Sequence, residues 1–234
     1  MHYKINLSQR LQRIDTMITE PYQHIWDCCC DHGFLGLTLL QRQAADTIHF
    51  VDIVPAILKP LKDDLQKYCG SEQDKAKWAV HCTDVINLPL AKVSNSPSAD
   101  KHLIIIAGVG GELTIELVDA ILTAFSHYRL EFILCPVHHN YKVREFLISR
   151  QLGLIAESLL IENKRGYEIL HVAMNAEEPI AKVGSKMWDF SQKEHLAYLQ
   201  QTIRHYQRIA QNPQHKVNAI IKQYQKLLFT QSAC

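Results

Sequence analysis

Four aspartates and one glycine-rich turn are the residues of this sequence whose types and positions could do chemistry. Asp27 and Asp31 flank the end of the first short apolar run, Asp52 ends the second, and Asp84 follows the third. The fourth apolar run is followed by Gly108-Val109-Gly110-Gly111. Carboxylates accept strong hydrogen bonds from hydroxyl and amino groups, and glycines let a flat group approach the backbone closely. Together these residues predict a binding site for a polar ligand.

The elements that must position these residues alternate between apolar runs and amphipathic stretches. Near-continuous apolar strands that alternate with helices are typical of a parallel sheet covered on both faces. The last pair of runs differs, because residues 154–161 and 167–174 are separated only by a short polar turn, which predicts an antiparallel hairpin. We therefore predict an α/β fold with the Rossmann-like, seven-stranded sheet typical of class I methyltransferases.

The predicted ligand site lies at the carboxyl ends of the strands, where open parallel sheets bind their ligands. An acid that ends the second strand can accept both ribose hydroxyls of an adenosine ligand, and an acid after the third can accept from the adenine amino group. Acids near the first strand can meet the sulfonium or amino group of a methionine. Taken singly, each acid could instead be a turn residue or a helix cap.

The turn after the first strand separates two classes of nucleotide-binding enzyme. A nicotinamide oxidoreductase would carry a G-x-G-x-x-G sequence there, to cradle a pyrophosphate. Here the sequence from Asp27 to Gly33 contains three consecutive cysteines instead. A methyltransferase that uses S-adenosylmethionine is favoured over a nicotinamide enzyme.

The chain divides into three predicted segments. Residues 1–20 form an amphipathic helix that packs on the core, residues 21–176 the methyltransferase domain, and residues 186–230 a basic C-terminal helical hairpin. Apolar residues from Leu196 to Ala210 and from Val217 to Leu228 recur at alternating spacings of three and four, as in coiled-coil seams. The hairpin could mediate dimerisation, so the sequence leaves monomer and dimer open.

Charge is distributed unevenly along the chain, although the net charge is only +1. From Lys182 onward eight lysines and arginines accompany two acids, whereas acids outnumber bases before it. The pairs Arg204/Arg208 and Lys222/Lys226 are each spaced four residues apart, so each helix presents a basic stripe. This distribution suits a polyanionic partner, with an ordinary solvated surface as the alternative.

Composition excludes several other classes of protein. A chain with 47% hydrophobic and 21% charged residues has the make-up of a folded globular protein. It shows no apolar stretch of the roughly 18 residues that a membrane span needs, and we expect a cytoplasmic protein. Seven cysteines are an odd number, and three are consecutive, so we expect buried free thiols and no metal site.

Several short sequences together resemble the bacterial tRNA (adenine-22) N1-methyltransferase family over nearly the whole chain. They are Leu7-Ser8-Gln9-Arg10-Leu11, Asp31-His32, Ile106-Ala107-Gly108-Val109-Gly110-Gly111, Leu134-Cys135-Pro136, Arg144-Glu145 and Tyr167-Glu168. The resemblance implies a Rossmann-like methyltransferase domain with a C-terminal coiled coil, S-adenosylmethionine as cofactor and tRNA as substrate. The methyl acceptor would be N1 of adenine 22.

This reasoning yields three sets of expected site residues. Cofactor contacts are expected from Asp27, Cys29, Asp31, His32, Asp52, Ile53, Asp84, Val85, Ala107 and Gly108. The residues expected at the reacting base are Gly108, Val109 and His102. The tRNA contacts are expected from Arg10, Pro136, His139, Arg144, Arg204, Arg208, Lys222 and Lys226.

Two residues depart from the family pattern and keep alternatives open. Cys29 stands where the family has glycine, close to the predicted cofactor, and His102 stands where relatives often have aspartate, so no proton acceptor is assigned. The alternatives are a methyltransferase for another RNA or a small molecule, and an RNA-binding relative that has lost catalysis. The first-strand turn and the terminal hairpin disfavour a nicotinamide enzyme.

Overall fold

One mixed β-sheet organises the protein. A computed structural model describes residues 5–68, 78–94, 96–212, 214 and 216–229. Within these ranges the sheet contains eight strands in the order β3-β2-β1-β4-β5-β7-β6-β8. The strands are β1 Tyr22–Cys28, β2 Ala45–Asp52, β3 Trp78–Cys82, β4 Lys101–Ala107, β5 Arg129–Cys135, β6 Gly153–Glu162, β7 Arg165–Ala173 and β8 Glu178–Pro179.

The strand order places a ligand crevice at the middle of the sheet. Strands β1 to β5 pair in parallel, whereas β7 runs antiparallel to β5 and β6 antiparallel to β7. The order reverses between β1 and β4, and such a switch point opens a crevice at the carboxyl ends of the strands. The predicted Rossmann-like sheet with its terminal hairpin is confirmed, and the two-residue strand β8 is an addition along β6.

Helices cover both faces of the sheet because buried side chains alternate along each strand. In β4, Ile104 and Ile106 belong to one apolar cluster, and Leu103 and Ile105 belong to the other. The described α-helices are α1 Gln9–Met17, α2 Phe34–Gln41, α3 Pro55–Tyr68, α4 Leu90–Val93, α5 Gly111–Ala124, α6 Asn140–Ser149, α7 Lys193–Ile209 and α8 Asn218–Phe229. Helices α5 and α6 cover the first cluster, and α1, α2 and α3 cover the second.

The C-terminal helices α7 and α8 pack against each other and against the body of the protein. Leu199, Ile203 and Tyr224 are buried in a third apolar cluster, together with Tyr141 of α6. Leu199, Ile203 and Tyr224 all belong to the predicted helical seam. Because Tyr141 belongs to the α/β body, the hairpin is docked on that body.

None of the helices in the described ranges has both the length and the apolar character needed to cross a membrane.

Candidate active site

The turn after β1 is built from residues in unusual backbone conformations. Cys29, Asp31 and Gly33 all have positive φ angles, of 55°, 50° and 68°. Asp27 is buried at the end of β1, and its Oδ2 accepts a 2.9 Å hydrogen bond from the backbone N–H of Gly36 in α2. The carboxylate therefore ties the strand to the following helix. A left-handed conformation at Cys29 explains why a glycine is favoured there, and the small, half-buried thiol occupies that position here.

Asp52 connects the first two turns of the crevice. One of its carboxylate oxygens accepts from the backbone N–H of Asp31 (3.3 Å), and the other accepts from that of Val54 (3.0 Å). The next residue, Ile53, is 64% exposed. An acid with an exposed apolar neighbour can bind a sugar hydroxyl and pack against a flat base.

Asp84 closes the third side of the crevice after β3. Its Oδ1 accepts a 3.1 Å hydrogen bond from the backbone N–H of Ile86, so it caps the short 3-10 helix Val85–Asn87. Asp84 stays exposed, whereas Val85 is buried in the core below it. A capping role and a ligand contact are compatible here, because a carboxylate has several acceptor positions.

The electrostatics of the crevice show that its acids are grouped around Cys29. Burial, together with the negative charges of Asp52, Asp27 and Asp84, raises the pKa of the Cys29 thiol to about 11. Burial also raises the pKa of Asp27 to about 7, against the effect of its hydrogen bond from Gly36. The crevice is thus acidic, which favours a cationic ligand. Asp31 and His32 lie on its exposed rim, with His32 Nδ1 2.9 Å from Asp31 Oδ1.

The glycine-rich turn after β4 lies beside the β1 turn. Strand pairing places Cys28 opposite Ile106, so Ala107 and Gly108 lie next to the β1 turn at the carboxyl edge. Gly108 is exposed with a φ of 88°, a conformation that favours glycine. The turn is fixed by two backbone bonds, from Gly108 N–H to the Cys135 carbonyl (3.1 Å) and from Val137 N–H to the Val109 carbonyl (2.9 Å).

Arg10 reaches this turn from helix α1. Its guanidinium nitrogen lies 3.5 Å from the position that a Cβ at Gly108 would occupy. The same guanidinium lies over the ring of Tyr167, 5.1 Å from the ring centroid. Helix α1 begins after Ser8, whose side chain accepts from the Leu11 N–H, and its buried Ile14 anchors it on the sheet. The N-terminal helix therefore places a positive charge beside the glycine-rich turn, at the carboxyl edge of the sheet.

The prediction that His102 acts at the reacting base is wrong. His102 is the second residue of β4 and pairs with His24 at the amino end of the sheet, opposite the crevice. It is fully buried, and its Nδ1 accepts a 3.2 Å hydrogen bond from Trp26 Nε1. A side chain in this position cannot reach a ligand at the carboxyl edge.

The prediction that Arg144 contacts tRNA is also wrong. Arg144 is fully buried and forms ion pairs with Glu157 (2.7 Å) and Glu168 (2.9 Å). Its guanidinium also donates to the Ala181 carbonyl (3.1 Å). These partners lie on β6, on β7 and in the segment before α7. Arg144 therefore links the β6–β7 hairpin to α6 and to the segment that leads to the C-terminal helices. Pro136, another predicted tRNA contact, is buried at the end of β5.

The remaining predicted substrate residues are accessible. His139 is exposed at the N-terminus of α6, where its Nδ1 hydrogen-bonds Glu112 in the first turn of α5 and lowers the pKa of that carboxyl to about 2. On the hairpin, the four predicted basic residues are all exposed; they are Arg204, Arg208, Lys222 and Lys226.

Sequence reasoning missed two groups of residues near the crevice. One is the pair Glu112 and His138, which cluster with the predicted His139; Glu112 lies in the first turn of α5, and the two histidines directly precede α6. The other is the pair Lys164 and Arg165 at the turn between β6 and β7, a segment for which the sequence pattern predicts only a turn. Basic residues in a hairpin turn next to the carboxyl edge were the available signal.

The doubly wound sheet, its antiparallel finish and an acidic crevice at the switch point define a class I methyltransferase. Residues 7–170 match the family described as "Methyltransferase domain". The chain belongs to this family. Comparison with curated proteins finds no match.

Solved structures of similar fold extend over almost the whole chain. TrmK of M. capricolum, solved with S-adenosyl-homocysteine, superimposes with a TM-score of 0.70 at 19% identity, covering 94% of this chain and 93% of that one. The B. subtilis m1A22 tRNA methyltransferase TrmK gives 0.69 at 21% identity, with 97% and 96% covered. The S. pneumoniae protein Sp1610, solved with S-adenosyl-L-methionine, gives 0.71 at 18% identity, with 94% and 96% covered. The likeness includes the C-terminal helices, since coverage of this chain exceeds nine-tenths.

Proposed function

We propose that this protein transfers a methyl group from S-adenosylmethionine to N1 of adenine 22 in tRNA. The observation that carries the proposal is the acidic crevice at the β1/β4 switch point, set beside an exposed glycine turn with a cation above it. Support comes from the shared fold of the M. capricolum and B. subtilis enzymes, which includes the C-terminal hairpin. Action on tRNA implies a cytoplasmic protein.

The residues of the crevice fit S-adenosylmethionine by charge and by shape. This cofactor supplies an electrophilic methyl group on a positively charged sulfur. Three carboxylates grouped around Cys29 complement that charge. Asp52 would accept from the ribose hydroxyls, Ile53 would pack on the adenine ring, and Asp84 would accept from the adenine amino group.

The glycine turn fits the acceptor base. Without a side chain at Gly108, a flat adenine can approach the end of β4, and Arg10 can hold the phosphate or sugar beside it. N1 of adenine carries a lone pair in the plane of the ring, so the chain has to align the base more than to activate it. Alignment of two reacting groups supplies a large part of the rate in such reactions.

Incubation with radiolabelled S-adenosylmethionine and unmodified tRNA tests the proposal. We expect label in N1-methyladenosine after digestion to nucleosides, and none when the tRNA carries guanine at position 22. Calorimetry with S-adenosylmethionine alone accompanies the assay, so that cofactor binding and methyl transfer are scored separately. Label in another nucleoside, or no transfer by a folded protein that binds the cofactor, would refute the tRNA assignment.

A further inference from the structure

A cleft of about 540 Å³ lies between the C-terminal hairpin and the α/β body, outside the acidic crevice. Its walls come from three places, namely residues 137–141 after β5, residues 164–168 around the β6–β7 turn, and helix α7, with Tyr224 of α8 at one side. Cavities that hold small ligands span roughly 300–1,000 Å³. The cleft is therefore large enough for a ligand of the size of a nucleotide.

The accessible charges of the cleft are all positive. Lys164, Arg165 and Arg208 line it, and all three are exposed. Across the described ranges, none of these three has an ion pair with a carboxylate, unlike Lys142 and Lys182, which pair with Glu112 and Glu145.

The acid in the lining, Glu168, does not offset these cations. It is buried, its Oε2 is held by Arg144 at 2.9 Å, and its Oε1 accepts from the Tyr198 hydroxyl at 3.0 Å. The cleft therefore presents unneutralised cations to an anion.

The turn between β6 and β7 holds two of these cations in a fixed conformation. Glu162 pairs with Arg165, which leaves a two-residue loop of Asn163 and Lys164. Both loop residues have positive φ angles, of 51° and 62°. This is the pattern of a type I′ turn, which matches the twist of the flanking strands. Asparagine often adopts this left-handed conformation, whereas lysine rarely does.

The opposite wall of the cleft is also held in place. The ring of Tyr198 in α7 packs on Gly166, where a Cβ would lie 2.3 Å from the ring. The Tyr198 oxygen also accepts from Asn140 Nδ2 at 3.4 Å. Further along α7, His205 and Tyr206 add aromatic surface to the lining. A preformed cleft loses less entropy when a ligand binds.

The inner end of the cleft adjoins the glycine turn. Val137, which lines the cleft, donates to the carbonyl of Val109 at 2.9 Å. Tyr167, which also lines it, lies beneath the guanidinium of Arg10 next to Gly108. An RNA strand with one base at the glycine-rich turn could continue directly into the cleft.

We propose that this cleft binds a nucleotide that neighbours the methylated adenosine in the RNA chain, with its phosphate held by Lys164, Arg165 and Arg208. The nucleotide's base would lie against the aromatic lining, because base–aromatic stacking is favourable and tolerant of sequence. The inference rests on the proposed function and deepens it. It divides the basic surface into a cleft that positions the acceptor strand and an outer hairpin surface that adds affinity.

The test compares two double variants that each remove two exposed cations. Arg165→Gln/Arg208→Gln removes cations of the cleft, and Lys92→Gln/Arg129→Gln removes exposed cations outside both the cleft and the C-terminal helices. We expect the cleft variant to raise the KM for tRNA by at least tenfold, with an unchanged Kd for S-adenosylmethionine by calorimetry. The control variant should stay within twofold of the unaltered protein. Equal KM values for the two variants would overturn the inference.

A binding experiment without catalysis separates this inference from the proposed function. A fluorescently labelled trinucleotide with a central adenosine should bind the unaltered protein and lose at least tenfold in affinity in the cleft variant. Adenosine monophosphate should compete for it far better than inorganic phosphate. Equal competition by the two would show a general anion site and overturn the nucleotide assignment. If the trinucleotide binds as expected but no tRNA is methylated, the proposed function fails and the cleft assignment survives.

Discussion

At the scale of single residues, some side chains of the crevice both stabilise its turns and remain accessible to a ligand. Asp52 is the example, since its carboxylate joins the turns after β1 and β2 and yet stays half exposed. A carboxylate oxygen can accept more than one hydrogen bond. The bonds from the backbone therefore orient the group and leave acceptor positions free for a ligand. The backbone therefore preorganises the acid before any ligand arrives.

Replacement of Asp52 by asparagine tests this arrangement. We expect the affinity for S-adenosylmethionine to fall about 10- to 100-fold, because hydrogen bonds to a charged group contribute about 1.5–3 kcal/mol. Titration calorimetry gives the Kd, and urea unfolding checks that the turns remain folded. Asp46→Asn is the matched control, since Asp46 is exposed on the same strand at the opposite edge. Equal affinities in both variants would remove Asp52 from the binding site.

Residues also show where sequence reasoning reached its limit. The positions of Asp52 and Asp84 at the carboxyl edge could be predicted, because an acid at the end of an apolar run maps directly to the edge of a parallel sheet. Arg144 was misplaced, because a charged residue on a helix is normally exposed and its burial depends on Glu157 and Glu168. Those partners lie on strands that come later in the chain, and no local sequence pattern predicts such a pairing.

At the scale of secondary structure elements, strands β1 to β4 each carry one histidine, and the four side chains form a row across the sheet, from His102 near the amino end to His81 near the carboxyl end. His24 Nδ1 lies 3.1 Å from His49 Nε2, and His49 Nδ1 lies 2.9 Å from His81 Nε2. The Trp26 ring stacks on His49 with 3.8 Å between centroids. Desolvation by burial, together with the neighbouring histidines, lowers the pKa of His49 to about 2. The folded protein therefore keeps this histidine neutral.

In a His49→Phe variant, the free energy of unfolding should depend less on pH in the acidic range. Because the folded pKa of His49 is depressed, its contribution to stability is present above the unfolded value near 6.5 and is lost as the pH falls below it. The phenyl ring keeps the stacking on Trp26 but cannot be protonated. We expect a flatter decline of the unfolding free energy between pH 6.5 and 5, measured with urea, and a loss of about 1–3 kcal/mol at pH 8 from the unpaired neighbours. His127→Phe, at an exposed histidine, serves as control, and an unchanged pH slope in the His49 variant would contradict the expectation.

The elements themselves were largely predictable. Alternation of apolar runs with helical patterns identified the parallel strands, and the short turn near residue 164 identified the antiparallel hairpin. The misplacement of His102 came from transferring a family position onto a residue that begins a strand, although its place in the apolar run already indicated the amino end. The docking of α7 on β7 was not predictable, because it depends on a Tyr198–Gly166 contact between residues far apart in the chain.

At the scale of the whole molecule, the hairpin and the α/β body act as one unit through that contact. A Gly166→Ala variant places a methyl group against the Tyr198 ring, where the available distance is 2.3 Å. Overpacking of this kind costs about 1–3 kcal/mol, so we expect a lower melting temperature and faster hydrogen exchange in α7 and α8. Tyr198→Phe, which keeps the ring and loses the bond to Glu168, should have a smaller effect on exchange. Unchanged exchange in Gly166→Ala would show that the hairpin is not held by this contact.

The outer face of the hairpin should contribute to tRNA affinity through phosphate contacts. For Lys222→Gln/Lys226→Gln, we expect weaker binding and a slope of log K against log salt that is shallower by about 1–2, since each lost phosphate contact reduces it by about 0.9. Filter binding at several salt concentrations measures this slope, and Lys92→Gln/Arg129→Gln is again the charge-matched control. A slope unaltered in the hairpin variant would place the tRNA elsewhere.

The acidic crevice also has a consequence for the three consecutive cysteines. Burial and the nearby carboxylates raise the pKa of Cys29 to about 11, and burial raises the pKa values of Cys28 and Cys30 as well. Thiolates, not thiols, are the nucleophiles, so these cysteines are unreactive near neutral pH. The acids that attract a sulfonium thus keep the adjacent sulfur protonated, and the protein can hold an alkylating agent beside a cysteine without methylating itself.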